Sequence, residues 1–323
     1  MRVLLVTNMY PTPDQPAFGT FIADQVAALR KAGVEMDVLL INGRKNSLNY
    51  LWGVFQFWWA LLKKRYHLIH AHYAMSGFIA RLQWSYPLLV TYHGAEVKDY
   101  VPVWLRYLAR RGQRIFDRVI VVSQEEKDLM VGKTDRVHII PGGIDFDLFR
   151  IIPQEEARQQ LNLPPGKPLI LWAGEHWQPV KRFELVKAAV EALKDRCPDV
   201  ELVLVSGQPH TVIPLYMNAC DVLALTSFSE GSPTVVKEAM ACNLPVVSTD
   251  VGDVAEVIGD VEGCYLIEAD VNDIADKLFK VLQKRQRTRG REKIQHLAGD
   301  AIAQRVIAVY NQLCKPAQRL EGH

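Results

Sequence analysis

Short apolar runs alternate with longer stretches of helical periodicity along almost the whole chain. "RVLLVT", "EMDVLLI", "HLIHAH", "PLLVTYH", "RVIVVS" and "VHIIP" are apolar on both faces. That pattern suits parallel strands covered by helices on each side. Between them, residues 21–32 and 75–84 carry a helical pattern. After "PGGIDFDLFRIIPQEEARQQLNLPPGKP" the alternation restarts with "LILWAG", "VELVLVS", "DVLALT" and "LPVVST". The Pro- and Gly-rich interval from Pro141 to Pro168 marks the boundary between the two series. Two successive βαβα series predict an α/β chain of two Rossmann-like, doubly wound parallel-sheet domains, facing each other across a cleft. The boundaries expected are 1–147 and 148–300, with a last helix over 301–315. That helix is apolar at Ile302, Val306, Val309, Tyr310 and Leu313, one buried stripe. Spacing leaves open whether it packs on the second domain or crosses back to the first.

Composition adds limits. At 323 residues, 49% hydrophobic and 23% charged, the chain suits a globular protein with a core in each domain. Five cysteines are an odd number with no metal-ligand spacing and read as buried thiols in a reducing compartment. The opening "MRVLLVTNMYPT" is too short an apolar run for a secretory signal. The apolar stretch from Leu51 to Leu62 falls short of the ~20 residues a membrane span requires. A soluble, cytoplasmic protein is expected. Residues 1–150 carry 19 Lys+Arg against 13 Asp+Glu, a net of +6, and the remainder 19 against 23, a net of −4. A basic first half suits an anionic partner, or reflects an uneven spread of solvated charges.

The densest chemistry lies in "LTSFSEGSPTVVKEAMACNLPVVS", where a strand ends near Thr226 and a helix begins at Ser232. Ser232 is a suitable N-cap and Pro233 a suitable first helical residue. The backbone N–H groups of Gly231, Ser232 and Thr234 would then line a strand–helix turn, where open α/β sheets hold phosphates and polar ligands. Glu230 and Glu238 flank this turn. Eight helical steps rise about 12 Å, whereas the carboxylate pair of a glycosidase stands ~5–9 Å apart. The spacing therefore favours two contacts on one elongated ligand over a single reacting pair. The competing reading makes Glu238 the partner of a basic neighbour and Glu230 a loop cap. Lys181 and Arg182, after "AGEHWQPV", are placed to neutralise a diphosphate or simply to solvate a helix start. Gly19, in "PDQPAFGTF", lets backbone approach a phosphate or makes a turn. There is no G-x-G-x-x-G, which argues against a nicotinamide site. His70 and His72 alternate along one strand but lack a third metal ligand at suitable spacing.

Glu, seven residues, then Glu, placed after a strand and before "PVVSTDVGD", resembles the signature of the retaining glycosyltransferases of family 4 (glycosyl transferases group 1). "TNMYPTPDQPAFGTF", "IHAHYAMSG", "VTYHGAEV", "IPGGID" and "PVKRFELVKAAVEAL" follow in that family's order, so the resemblance covers nearly the whole chain. The nearest likeness is to enzymes that build cell-surface polysaccharides such as teichuronic acid. The resemblance implies the GT-B fold, a nucleotide-diphosphate sugar as donor, a saccharide or lipid-linked acceptor, and no cofactor or metal. It implies Glu238 on the ribose, Glu230 beside the donor sugar and the Gly231–Ser232–Pro233–Thr234 turn along sugar and diphosphate. It also implies Lys181 and Arg182 at the diphosphate, with Gly19 approaching from the first domain and His93 near the reaction centre. The chain departs from the family at Glu175, where an Arg is usual, and at Arg182, which replaces the usual glycine. A carboxylate facing a diphosphate would repel it, so Glu175 is expected to be turned away or screened.

Within that fold, a nucleotide-sugar epimerase and a non-catalytic nucleotide-sugar-binding partner are the alternatives. "LNYLWGVFQFWWALLKKRY" places Leu48, Leu51, Trp52, Phe55, Trp59 and Leu62 on one helical face, followed by Lys63, Lys64 and Arg65. "VWLRYLARRGQRIFDR" brings five arginines with one aspartate. Such faces suit either peripheral contact with the inner face of a membrane or packing in the core. No nucleic-acid-binding motif accompanies them.

Overall fold

The computed structural model describes residues 1–43, 46, 48–98, 101–132 and 134–314. Lys315, the end of the expected last helix, lies outside the described residues. The chain divides into two compact units. One comprises Met1–Pro11, Phe21–Gly143 and the chain from Asp300; the other comprises Thr12–Thr20 and Ile144–Gly299.

The first unit is built on β1 (Arg2–Thr7), β2 (Glu35–Leu40), β3 (Leu68–His72), β4 (Leu88–Thr91), β5 (Arg118–Val121) and β6 (Val137–Ile139). They lie in the order β2-β1-β3-β4-β5-β6, every pair parallel. Val3, Leu4, Leu5 and Val6 are all buried, as a strand covered on both faces requires. The second unit carries β7 (Leu169–Ala173), β8 (Glu201–Val205), β9 (Val222–Leu225), β10 (Val246–Thr249) and β11 (Tyr265–Ile267). Their order is β11-β10-β9-β7-β8, again all parallel. Strand order reverses between β1 and β3 in one sheet and between β7 and β9 in the other. Beyond the carboxyl ends of such strands lies the crevice where open α/β sheets hold ligands.

Three local expectations are corrected. The helix expected over 75–84 spans Ala74–Ala80. It stops because Gln83 closes a turn through its side chain, accepting from Tyr86 N at 2.7 Å and donating to the Tyr86 carbonyl at 3.0 Å. Arg81, the C-cap, keeps its N–H on the Gly77 carbonyl and pairs through its side chain with Asp117 at 2.9 Å. The helix expected to begin at Ser232 spans Thr234–Ala241, preceded by Pro233 at φ −66°, ψ 111°. Core packing also fails for the named face of the helix Leu48–Lys63. Its buried contacts are Gly53 and Phe57, where Gly53 abuts Ile41 closely enough that a Cβ would lie 2.5 Å from Ile41 Cγ2. Leu48, Leu51, Trp52, Phe55, Trp59 and Leu62 are exposed.

The terminal helix, Gly299–Cys314, belongs to the first unit and buries Ile302, Val306, Val309 and Tyr310. Tyr310 Oη meets His70 Nδ1 at 2.7 Å, and Arg305 donates to the Ile139 carbonyl at 2.6 Å. All five cysteines are unbridged. Among the described residues, no helix is long and apolar enough to cross a membrane.

Candidate active site

In the second unit the loops after β7 and β9 meet at the reversal point of the sheet. Phe228 N donates to the Val180 carbonyl at 2.8 Å, and Thr226 Oγ1 donates to the Lys181 and Arg182 carbonyls at 3.2 and 3.0 Å. This stitching brings residues 49 positions apart together: Lys181 Nζ lies 2.6 Å from Glu230 Oε1. Ser227 Oγ donates to the same oxygen at 2.7 Å. Both side chains are partly buried, 26% and 15% exposed, so they attract each other more strongly than a surface pair would.

Arg182 takes φ 49°, ψ 46°, the left-handed region in which glycine is free of Cβ strain. Its guanidinium lies over the Phe228 ring at 4.7 Å, held as a cation–π contact. Glu175 is half-buried and accepts from Gln178 Nε2 within its own loop.

Glu238 lies on the helix Thr234–Ala241 and is buried, at 8% exposure. His210 Nε2 stands 3.2 Å from Glu238 Oε1, with its ring against Phe149 at 5.3 Å between centroids. A solvated helix-surface charge is excluded, because burial demands a partner. Ser232 donates from Oγ to Asp253 Oδ2 at 2.7 Å, and the N-cap of the helix is Pro233, which makes no side-chain cap bond. Lys237 donates to the same hydroxyl and lies 2.9 Å from Asp253 Oδ2, both charges buried. Behind the turn, Gly252 adopts φ +62° and approaches so closely that a Cβ would sit 2.4 Å from the Gly231 carbonyl oxygen. Pro233 and Gly231 are buried, Thr234 half-buried. Gly19 also adopts a left-handed φ, 75°.

His210, Ser227, Lys237, Gly252 and Asp253 were not anticipated as parts of this site. Lys237 and Asp253 stand inside the quoted motifs, but the serine–aspartate bond spans 21 residues. No local periodicity signals such a pairing.

The first unit holds a cluster of neutral imidazoles. His72 ends β3 and His93 follows β4, one strand over; His72 Nδ1 and His93 Nε2 lie 2.9 Å apart. One ring donates and the other accepts, so at least one must be neutral. Burial pushes His93 down to about 3 and His72 well below its ordinary value. Phe21 and Tyr73 pack on His93 at 4.9 and 4.8 Å between ring centroids. Glu96 Oε2 accepts from His93 N at 3.1 Å, and burial raises the Glu96 carboxyl to about 7. His70, in contrast, has both nitrogens engaged, by Tyr310 and by Thr91 Oγ1 at 2.7 Å each. Among the described residues no group of three or more acidic, His or Cys side chains could hold a metal ion.

Two family models match. Residues 2–148 match Glycosyltransferase Family 4, and residues 210–284 match Glycosyl transferases group 1. A putative teichuronic acid biosynthesis glycosyltransferase, TuaC of Bacillus subtilis, is 28% identical, with 80% of this chain and 83% of that protein covered. The D-inositol 3-phosphate glycosyltransferase of Nocardia farcinica is also 28% identical, over 72% of this chain and 63% of that one. Among solved structures, the sucrose-phosphate synthase of Thermosynechococcus elongatus superposes with a TM-score of 0.81 at 22% identity, covering 97% and 99% of the two chains. Anabaena HepE, solved with UDP and glucose, does so with a TM-score of 0.73 at 18% identity over 97% and 100%. At these identities the structural likeness establishes a shared GT-B fold.

Proposed function

The chain is a glycosyltransferase built from a family 4 domain and a group 1 domain in the GT-B fold, and from this premise we propose that it transfers a sugar, with retention, from a nucleotide-diphosphate sugar to an acceptor hydroxyl. The observation that carries this reading is the Lys181–Glu230 pair at the reversal point of the second sheet, with the buried Glu238 on the next helix. Glu238 takes the ribose hydroxyls, since a carboxylate accepts two hydrogen bonds from a vicinal diol. His210 orients it. Glu230 meets the donor sugar and fixes Lys181, whose other N–H donors neutralise the diphosphate as charge develops there. The Gly231–Thr234 turn lines sugar and diphosphate, held by the buried Ser232–Lys237–Asp253 group. Arg182 and Gly19 complete the donor contacts. A neighbour of the same fold holds UDP and glucose, in keeping with such a donor.

In the transfer itself, the acceptor oxygen bonds to the anomeric carbon as the carbon–oxygen bond to the diphosphate breaks. The acceptor proton passes to the departing phosphate on the same face. The enzyme contributes positioning and charge stabilisation, with no covalent intermediate and no metal. His93, fixed by His72 and uncharged, is a hydrogen-bonding group of the first unit for the reacting sugars. The acceptor is a saccharide or lipid-linked hydroxyl of cell-surface polysaccharide or glycolipid synthesis, used in the cytoplasm or at the inner face of the membrane. A thermal-shift screen with nucleoside diphosphates and nucleotide sugars tests the donor assignment. Stabilisation by one base's diphosphate and its sugar conjugate is expected; no response to any of them overturns it.

A further inference from the structure

The helix Leu48–Lys63 is apolar on two opposite faces. Gly53 and Phe57 enter the core of the first unit, while on the other side Leu51, Trp52, Phe55, Trp58, Trp59 and Leu62 are 43–78% exposed. At 3.6 residues per turn these six fall within an arc of about 120°. Their rings form a ladder along the helix: Trp52 stacks on Phe55 at 5.0 Å, Phe55 on Trp59 at 6.4 Å, and Lys63 Nζ caps Trp59 at 4.9 Å. An exposed apolar strip of this size on a helix marks an interaction surface.

Charge selects the occupant. From Val38 to Ala95, 58 residues, the sequence has no Asp or Glu; Lys64 pairs with Asp37 and Arg81 with Asp117, each at 2.9 Å, which leaves the charge at the end of the ladder to Lys63 and Arg65. Lys63 and Arg65, at the end of the ladder, are exposed. A second copy docked on this strip would bring its own Lys63 and Arg65 against these two and repel them. A surface that is both apolar and anionic matches instead. We propose that this helix face docks on an anionic lipid bilayer, with its indoles at headgroup depth and Lys63 and Arg65 on lipid phosphates. The proposal rests on the reading of peripheral membrane contact and gives that contact a surface and a lipid class.

Flotation of the full chain tests it, with vesicles of phosphatidylcholine alone and of phosphatidylcholine with phosphatidylglycerol. Neither donor nor acceptor is present, so the result is independent of the transfer reaction. The full chain is expected to float with the anionic vesicles at least about tenfold more than with the neutral ones, and less as salt rises. Trp52→Gln with Trp59→Gln should reduce flotation at least about tenfold while the melting temperature holds. Lys63→Gln with Arg65→Gln, both exposed, should bring anionic binding down towards the neutral level. No flotation on either vesicle overturns the proposal. So does flotation unchanged in both double variants, or a dimer in sedimentation equilibrium that the tryptophan changes dissolve while vesicles bind nothing.

Discussion

At the scale of single residues, the two carboxylates of the Glu-x7-Glu element have different tasks because they have different surroundings. Glu230 is tied to a lysine and a serine, and Glu238 is buried against a histidine. Glu238→Ala should weaken nucleoside diphosphate binding by roughly tenfold to a hundredfold, the worth of hydrogen bonds to a charged group; calorimetry reads it. Lys181→Ala should reduce turnover by at least about a hundredfold and weaken nucleotide-sugar binding much less, since its contribution grows as the diphosphate departs. Gly252 makes a purely steric claim. Its left-handed φ and the 2.4 Å approach to the Gly231 carbonyl leave no room for a methyl group. Gly252→Ala should cost more than about 1 kcal/mol in urea unfolding and displace the Glu230–Ser232 turn. An unaltered midpoint with normal donor binding would refute this.

At the scale of elements, the inner strands were legible because they are buried on both faces and so write a continuous apolar run, and the part-buried edge strands β2, β6 and β8 keep enough apolar residues to follow suit. Ten runs quoted from the sequence coincide with β1 to β10. β11, Tyr265–Ile267, was not among the runs quoted. Elements ended by side chains were not legible: Gln83 closes a turn that periodicity cannot register, and Ser232 donates its hydroxyl to an aspartate 21 residues away. Periodicity found the apolar face of Leu48–Lys63 but not what covers it, because an exposed apolar stripe and a buried one have the same spacing. The terminal helix is a comparable case. Its stripe was visible, but its anchor is the hydroxyl of Tyr310 on His70. Tyr310→Phe should leave a buried imidazole nitrogen without its partner, a cost of about 1–3 kcal/mol. Chemical denaturation followed by tryptophan fluorescence measures it.

At the scale of the whole molecule, buried titratable groups set opposing pH dependences. His70 and His93, lowered to about 3, and His72, lowered well below 6.5, bind fewer protons folded than unfolded. Stability should therefore be lost as pH falls below 6.5. Glu96, raised to about 7 from 4.5, keeps its proton longer when folded, so stability should decline as pH rises through that window. Glu96→Gln should remove its own share of this second slope, on the order of 3 kcal/mol at most, and leave in place the acid limb and the same-signed share of Glu126, which burial also raises. Melting temperatures across pH separate the two. Transfer is read by release of nucleoside diphosphate from the donor that the thermal-shift screen selects, with and without a saccharide or lipid-linked acceptor. Release is expected to require the acceptor and to fall at least about a hundredfold in Lys181→Ala. Donor converted without any acceptor, or nucleotide bound with no release from any donor and acceptor pair, would contradict it.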